Sequence, residues 1–196
     1  MSVKKALIVI IVLGFFSGSI DASEKYQVVK IWPEAPIGWN FYRPRGVAID
    51  KAGNVLMVDT GNYRIKKFDS KGRLLTQWGS AGKGEGKFVN SWKIRIDSSG
   101  VVYVGDWDPK DRRMQKFTSD GQFIGEWKSE ALKAGPLSGF ALDSHGNLFV
   151  VEYAACQVAE FTPDGKLLAR WGGKGDGDGE FSQPYGLAVD ASNHVY

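Results

Sequence analysis

The sequence predicts an all-β fold, a β-propeller of four-stranded blades, and three observations carry the prediction. The first is an internal repeat. An aspartate closing an apolar run recurs as Asp50, Asp97, Asp143 and Asp190, at steps of 47, 46 and 47 residues. Phe68, Phe117 and Phe161 recur in register with it, as do Trp78, Trp127 and Trp171. Landmarks fixed at such a period mean one supersecondary unit per repeat. The second is strand patterning. Within the first unit Gly46 to Ile49, Asn54 to Val58, Ile65 to Phe68 and Leu74 to Trp78 are short apolar or alternating runs separated by DKAGN, DTGNYR and DSKG. Those separators are turn formers, which supply positive φ or side-chain hydrogen bonds to backbone. The third is that no window sustains a 3.6-residue apolar period long enough for a core helix. Four antiparallel strands cannot bury both faces alone, so the units must pack face to face around an axis.

In chain order, the N-terminus has Lys4 and Lys5, an apolar run from Ala6 to Phe16, then small and polar residues. That layout predicts a signal peptide over residues 1–22, cleaved after Ser19 or Ala22, with an uncleaved N-terminal anchor as the competing reading; the run falls short of the roughly 20 residues a span requires. The expected location is therefore exported: periplasmic, extracellular or at the cell surface. Removing residues 1–22 takes two lysines and one aspartate from 25 basic and 22 acidic residues and leaves a net charge of +2. This near balance gives no case for nucleic acid, which calls for a concentrated basic face. The one cysteine, Cys156, excludes an intramolecular disulfide and a multi-cysteine metal site, and is expected to be a buried thiol. Residues 26–32 match the fourth strand of the unit, and the repeats run over about 41–87, 88–134 and 135–180, with an incomplete one at 181–196. The expectation is a C-terminally truncated propeller, with a ring closed by a second copy as the alternative.

The strings PRGVAID, GNVLMVDTGNYRIKKFDSKGRLLTQWG and FSQPYGLAVD resemble the NHL repeat, whose blades usually stand six to a ring. The resemblance covers Tyr26 to Tyr196 and weakens along the chain. The second repeat carries two extra residues around Asp108 to Asp111, and the third has Glu152 and Gln157 where the first has Asp59 and Arg64.

Residues recurring in every unit are expected to serve the unit itself. Trp32, Trp78, Trp127 and Trp171 are thus expected in the core between blades. Asp59 with Arg64, and Asp106 with Arg113, bracket the turn after the second strand; the carboxylate is expected to accept turn N–H groups while the guanidinium forks onto it or onto a carbonyl. The stretches GSAGKGEGKF and GGKGDGDGEF lack the spacing of a calcium loop and the Lys-Ser/Thr of a phosphate loop, so they read as flexible inter-blade linkers.

A site is expected instead at non-repeating positions on the face where the innermost strands enter. Arg45, Trp92, Ser138 and Tyr185 share one register position, and Thr60, Trp107 and Tyr153 another. Arg45, Trp92, Trp107, Tyr153 and Tyr185, with Lys93, Arg95 and Arg112 nearby, would make an aromatic and cationic mouth for a protein, peptide or glycan. The function expected is an exported binding or scaffold module, with no catalytic residue, no metal and no cofactor. One alternative is an enzyme resembling the peptidyl-hydroxyglycine lyases or lactonases, with metal ligands in further blades, since His145 and His194 fall in turns on the opposite face. The other is an RNA-binding NHL module, which the charge balance and signal segment disfavour. Membrane contact is expected only through an uncleaved N-terminal segment.

Overall fold

The computed structural model describes residues 40–107, 112–128 and 137–196. The predicted signal segment, the strand at 26–32 and Trp32 lie outside the described residues. From Tyr42 to Tyr196 the chain packs as one unit. Three four-stranded antiparallel sheets follow one another, each with its strands in chain order. The first holds β1 (Pro44–Ile49), β2 (Val55–Asp59), β3 (Arg64–Phe68) and β4 (Leu74–Trp78). The second holds β5 (Ser91–Ile96), β6 (Val102–Trp107), β7 (Arg112–Phe117) and β8 (Phe123–Trp127). The third holds β9 (Leu137–Leu142), β10 (Leu148–Glu152), β11 (Gln157–Phe161) and β12 (Leu167–Gly172). In the fourth repeat, Val189 and Val195 form an antiparallel bridge. The fold is a β-propeller, and each sheet is a blade.

The repeated aspartates build the turn between first and second strands. Asp50 accepts hydrogen bonds from the Ala52 and Asn54 backbone N–H at 3.0 and 2.8 Å. Asp97 does the same for Ser99 and Val101, Asp143 for His145 and Asn147, and Asp190 for Ser192 and His194. Each turn then needs one residue at positive φ, supplied by Gly53, Gly100, Gly146 and Asn193. The turn after the second strand departs from the pattern its DTGNYR sequence predicts. Its left-handed residue is Tyr63 at φ 55°, and Cys156 at φ 52° in the third blade, rather than the glycine. Gly61 is required for space: a Cβ there would overlap the Tyr42 ring.

The core lies between blades. Leu56, Val58 and Ile65 of the first blade bury against Ile94, Val102, Val104 and Phe117 of the second, with Phe88 from the connection. Tyr103, Met114 and Trp127 of the second bury against Phe140, Leu148, Val150 and Phe161 of the third. Trp78 meets Phe117 at 6.0 Å between ring centroids, and Trp127 meets Phe161 at 5.3 Å. Trp171 differs, packing edge-on against Phe149 of its own blade at 5.9 Å. Near the axis the inner strands run close: a Cβ on Gly46 would stand 2.7 Å from the Trp92 carbonyl oxygen.

Lysines tie neighbouring blades as well. Lys67 Nζ reaches Asp50, Asp120 and the Ser119 carbonyl, and Lys116 Nζ reaches Asp164 at 2.9 Å. The buried Tyr103 phenol is pushed up to about 12 by burial, with the Asp97 carboxylate adding to the shift. Because the folded value lies above the unfolded one near 10, its stabilising effect is complete below about pH 10 and is lost as pH rises toward 12. Tyr103→Phe is therefore expected to flatten the alkaline fall in stability over that window, as read by denaturant midpoints from pH 9 to 12 set against wild type.

The glycine-rich connection between the first two blades is built rather than flexible. Phe88 N–H donates to the Ser80 carbonyl and Gly82 N–H to the Phe88 carbonyl, at 2.8 and 3.0 Å. Gln115 of β7 then brackets Lys87, accepting from Gly86 N–H and donating to the Lys87 carbonyl. Gly173 to Phe181 repeats the arrangement, with a Lys174 to Phe181 bridge matching that of Ala81 to Phe88.

Candidate functional site

Strand pairing puts one edge of every blade on a common rim. Pro44 pairs with Asp59, Ser91 with Asp106 and Leu137 with Glu152, so inner strands begin where second strands end. In the first two blades the buried aspartate at that register position fastens the chain entering its blade. Asp59 accepts from Tyr42 N–H at 2.7 Å, and from Asn62 Nδ2 and Arg64 Nε at 2.9 Å. Asp106 accepts from Val89 and Asn90 N–H at 3.0 and 2.8 Å and from Arg113. The backbone donors thus belong to the incoming segment and not to the turn after the second strand, which corrects the sequence expectation. Those donors lie 16 and 17 residues upstream, so no local reading of the turn finds them.

Arg113 carries the larger network. Its guanidinium donates to Asp106, to Glu126 at 2.7 Å, and to the Lys83 and Lys87 carbonyls at 2.6 and 2.7 Å. Burial pushes the Asp106 carboxyl up, against the hydrogen bonds from Asn90, Val89 and Arg113 that favour its charge. In the third blade the pair is rewired. Glu152 is longer and receives Arg170 Nε and Nη2 of β12 at 2.9 and 3.2 Å, while Gln157 stands where an arginine would be.

The non-repeating residues fall into two groups on this rim. The Arg45 guanidinium lies 3.7 Å above the Trp92 ring. Trp92 meets Trp107 edge-on at 5.5 Å, and Arg112 stands 5.7 Å from the Trp107 ring. Asn90, which sequence reading passed over, accepts from Trp92 Nε1 at 2.8 Å, and its carbonyl accepts the Trp107 N–H. Its position two residues before Trp92 was the available signal. The Trp107 indole N–H is buried without a hydrogen-bond partner among the described residues. Tyr153 and Tyr185 form the second group, edge-on at 6.1 Å, with Tyr185 59% exposed. No ring contact joins the two groups among the described residues.

This Arg-Trp-Trp-Arg ladder offers flat apolar surface flanked by cations, which suits sugar faces, aromatic side chains and carboxylates. His145 and His194 lie in exposed turns at the far edge, beside Asp143 and Asp190. Among the described residues no three His, Cys, Asp or Glu gather as metal ligands.

A propeller of such blades, the first two entered through a buried aspartate that fastens the incoming chain, is the class these features define. The family model for the NHL repeat matches residues 41–68. The chain is 29% identical over 133 residues to Protein brain tumor of Drosophila melanogaster, covering 67% of this chain and 12% of that protein. It is 30% identical over 105 residues to peptidylglycine alpha-amidating monooxygenase of Rattus norvegicus, covering 50% of this chain and 11% of that one. Among solved structures, virginiamycin B lyase from Staphylococcus aureus superposes with a TM-score of 0.56 at 16% identity, over 78% of this chain and 47% of the lyase, which speaks for the fold alone. The chain thus carries an NHL repeat at residues 41–68, and it spans about a tenth of the length of these two relatives.

Proposed function

We propose that this chain is an exported binding or scaffold propeller that captures a protein, peptide or glycan on the rim where its inner strands enter. The observation that carries the reading is the ladder of Arg45, Trp92, Trp107 and Arg112. It is made of residues that do not recur at their register positions, so the blades do not require them for folding. The charged N-terminal segment with its short apolar run supports export.

Peptide-library and glycan-array selection with the full chain supplies the ligand for the test. Trp92→Ala and Trp107→Ala are each expected to weaken its capture at least tenfold, the scale of a central aromatic anchor, while the thermal midpoint stays within a few degrees. Unchanged affinity in both would remove the ladder as the site. Similarity to the amidating monooxygenase supports a second reading, an enzyme, for which a metal-dependent propeller lyase is the form the sequence resemblance implies. Stoichiometric zinc in the purified full-length protein would favour it over the binding module.

A further inference from the structure

Aligning the inner strands exposes a departure confined to one blade. The first, third and fourth repeats place Gly-x-Ala there: Gly46 and Ala48, Gly139 and Ala141, Gly186 and Ala188. The second places Lys93 and Arg95. Two small residues at closely packed positions have become two long cations, and the neighbouring strand has changed with them. Lys93 pairs with Gly105, whereas the matching positions of the first and third blades hold Val58 and Val151. The missing isopropyl group makes room beside the lysine stem.

Both side chains point away from the first blade. Ile94, between them, is buried in the core shared with that blade, and side chains alternate along a strand. Arg95 accordingly lies over the Phe140 ring of the third blade at 5.8 Å. The two cations therefore sit in the seam between the second and third blades, about 7 Å apart along β5. Lys93 is two residues in from the rim at Ser91, so it is reached from the entry mouth.

Among the described residues no carboxylate answers them. Among the described residues Lys93 has no hydrogen bond or ion pair, and Arg95 has only the Ile94 carbonyl at 2.9 Å and the Phe140 ring. Of the described acids nearby in sequence, Asp106 is engaged by Arg113 and Asp97 by its own turn and Tyr103. Burial and the charge of Arg95 hold the Lys93 ammonium below the usual lysine range. Partly buried like charges without a counter-ion are costly, and the other repeats show that the strand does not need them.

We infer that Lys93 and Arg95 form a binding site for an oxyanion, a carboxylate or phosphate group entering the seam from the rim. A guanidinium fork beside an ammonium supplies several charge-assisted donors for such a group. The inference is independent of the ligand of the Trp92 and Trp107 ladder, because it is measured with simple anions.

Thermal unfolding of the full chain in sodium phosphate, against sodium chloride at matched ionic strength, tests it. Phosphate is expected to raise the midpoint saturably in wild type. The double variant K93G/R95A, which restores the residues of the other repeats, is expected to unfold in chloride at or above the wild-type midpoint and to lose at least tenfold in phosphate affinity. A second measurement needs no variant: phosphate should shield Lys93 from amine acetylation in wild type, read residue by residue by mass spectrometry. A glutamate oligopeptide in a parallel arm separates the sources. Shielding by phosphate alone supports a free small anion, and shielding by the peptide supports an acidic partner segment. Absence of shielding by either, or an undiminished phosphate response in K93G/R95A, overturns the site.

Discussion

Arg113→Ala should destabilise the protein by about 3–5 kcal/mol, the range for removing one partner of a buried ion pair. The arginine is 2% exposed, and deleting it leaves the buried Asp106 carboxylate without its cation and removes a donor from the Lys83 and Lys87 carbonyls. The equivalent substitution in the first blade should cost much less. Arg64 meets Asp59 at 2.9 Å with 26% of its own side chain exposed, so water can replace part of what is lost. Denaturant melts of the two variants decide the matter. Equal losses would show that the network around Arg113 adds nothing beyond the ion pair. The outcome also bears on the rim, because the same Asp106 fixes Asn90, which holds the Trp92 indole.

What the sequence made legible, and what it did not, follows from how far apart the interacting groups lie. The four-stranded unit could be read because its turns are local: an aspartate two and four residues from the N–H groups it accepts, and a glycine at positive φ beside it, leave a recurring signature. The phenylalanines and tryptophans recur because each seam between blades is filled by the same side chains. The acid and arginine of the first two blades were visible as a pair, but the acid's backbone partners belong to an incoming segment that sequence proximity does not connect with it. The glycine-rich stretches carry the composition of a flexible linker, and what orders one of them is Arg113 and Gln115, almost 30 residues downstream. In the third blade Gln157 looked like the loss of an ion pair. The structure instead finds the charge on Arg170 two strands away, where the long arginine side chain and the extra methylene of the glutamate together span the strand between them. The rim residues were legible as departures from the repeat. Their division into a tryptophan ladder and a separate tyrosine pair depends on how the blades sit, which one blade's sequence does not contain.

That seam packing yields the other large effect. Trp127→Ala is expected to cost about 3–5 kcal/mol, as for other buried aromatic truncations. The indole is 8% exposed and covers both Phe161 and the turn glycine Gly165 of the next blade. Gly165 is constrained twice, by φ 83° and by the ring lying where its Cβ would be. Gly165→Ala should therefore destabilise by about 1–3 kcal/mol, the strain of a non-glycine residue held at an unfavourable backbone angle with a steric term added. If the ring causes part of that penalty, the two substitutions cannot be additive. In the Trp127→Ala background the glycine substitution loses its clash and retains only its backbone strain, so the double variant should fall short of the sum by about 0.5 kcal/mol or more. Gly121 stands against Trp78 in the same way, at φ 91°, so the cycle can be run independently across the first seam. Strict additivity at both seams would mean that the tryptophans do not pack through these glycines, and the account of how one blade seats on the next would have to be rebuilt from the phenylalanines alone.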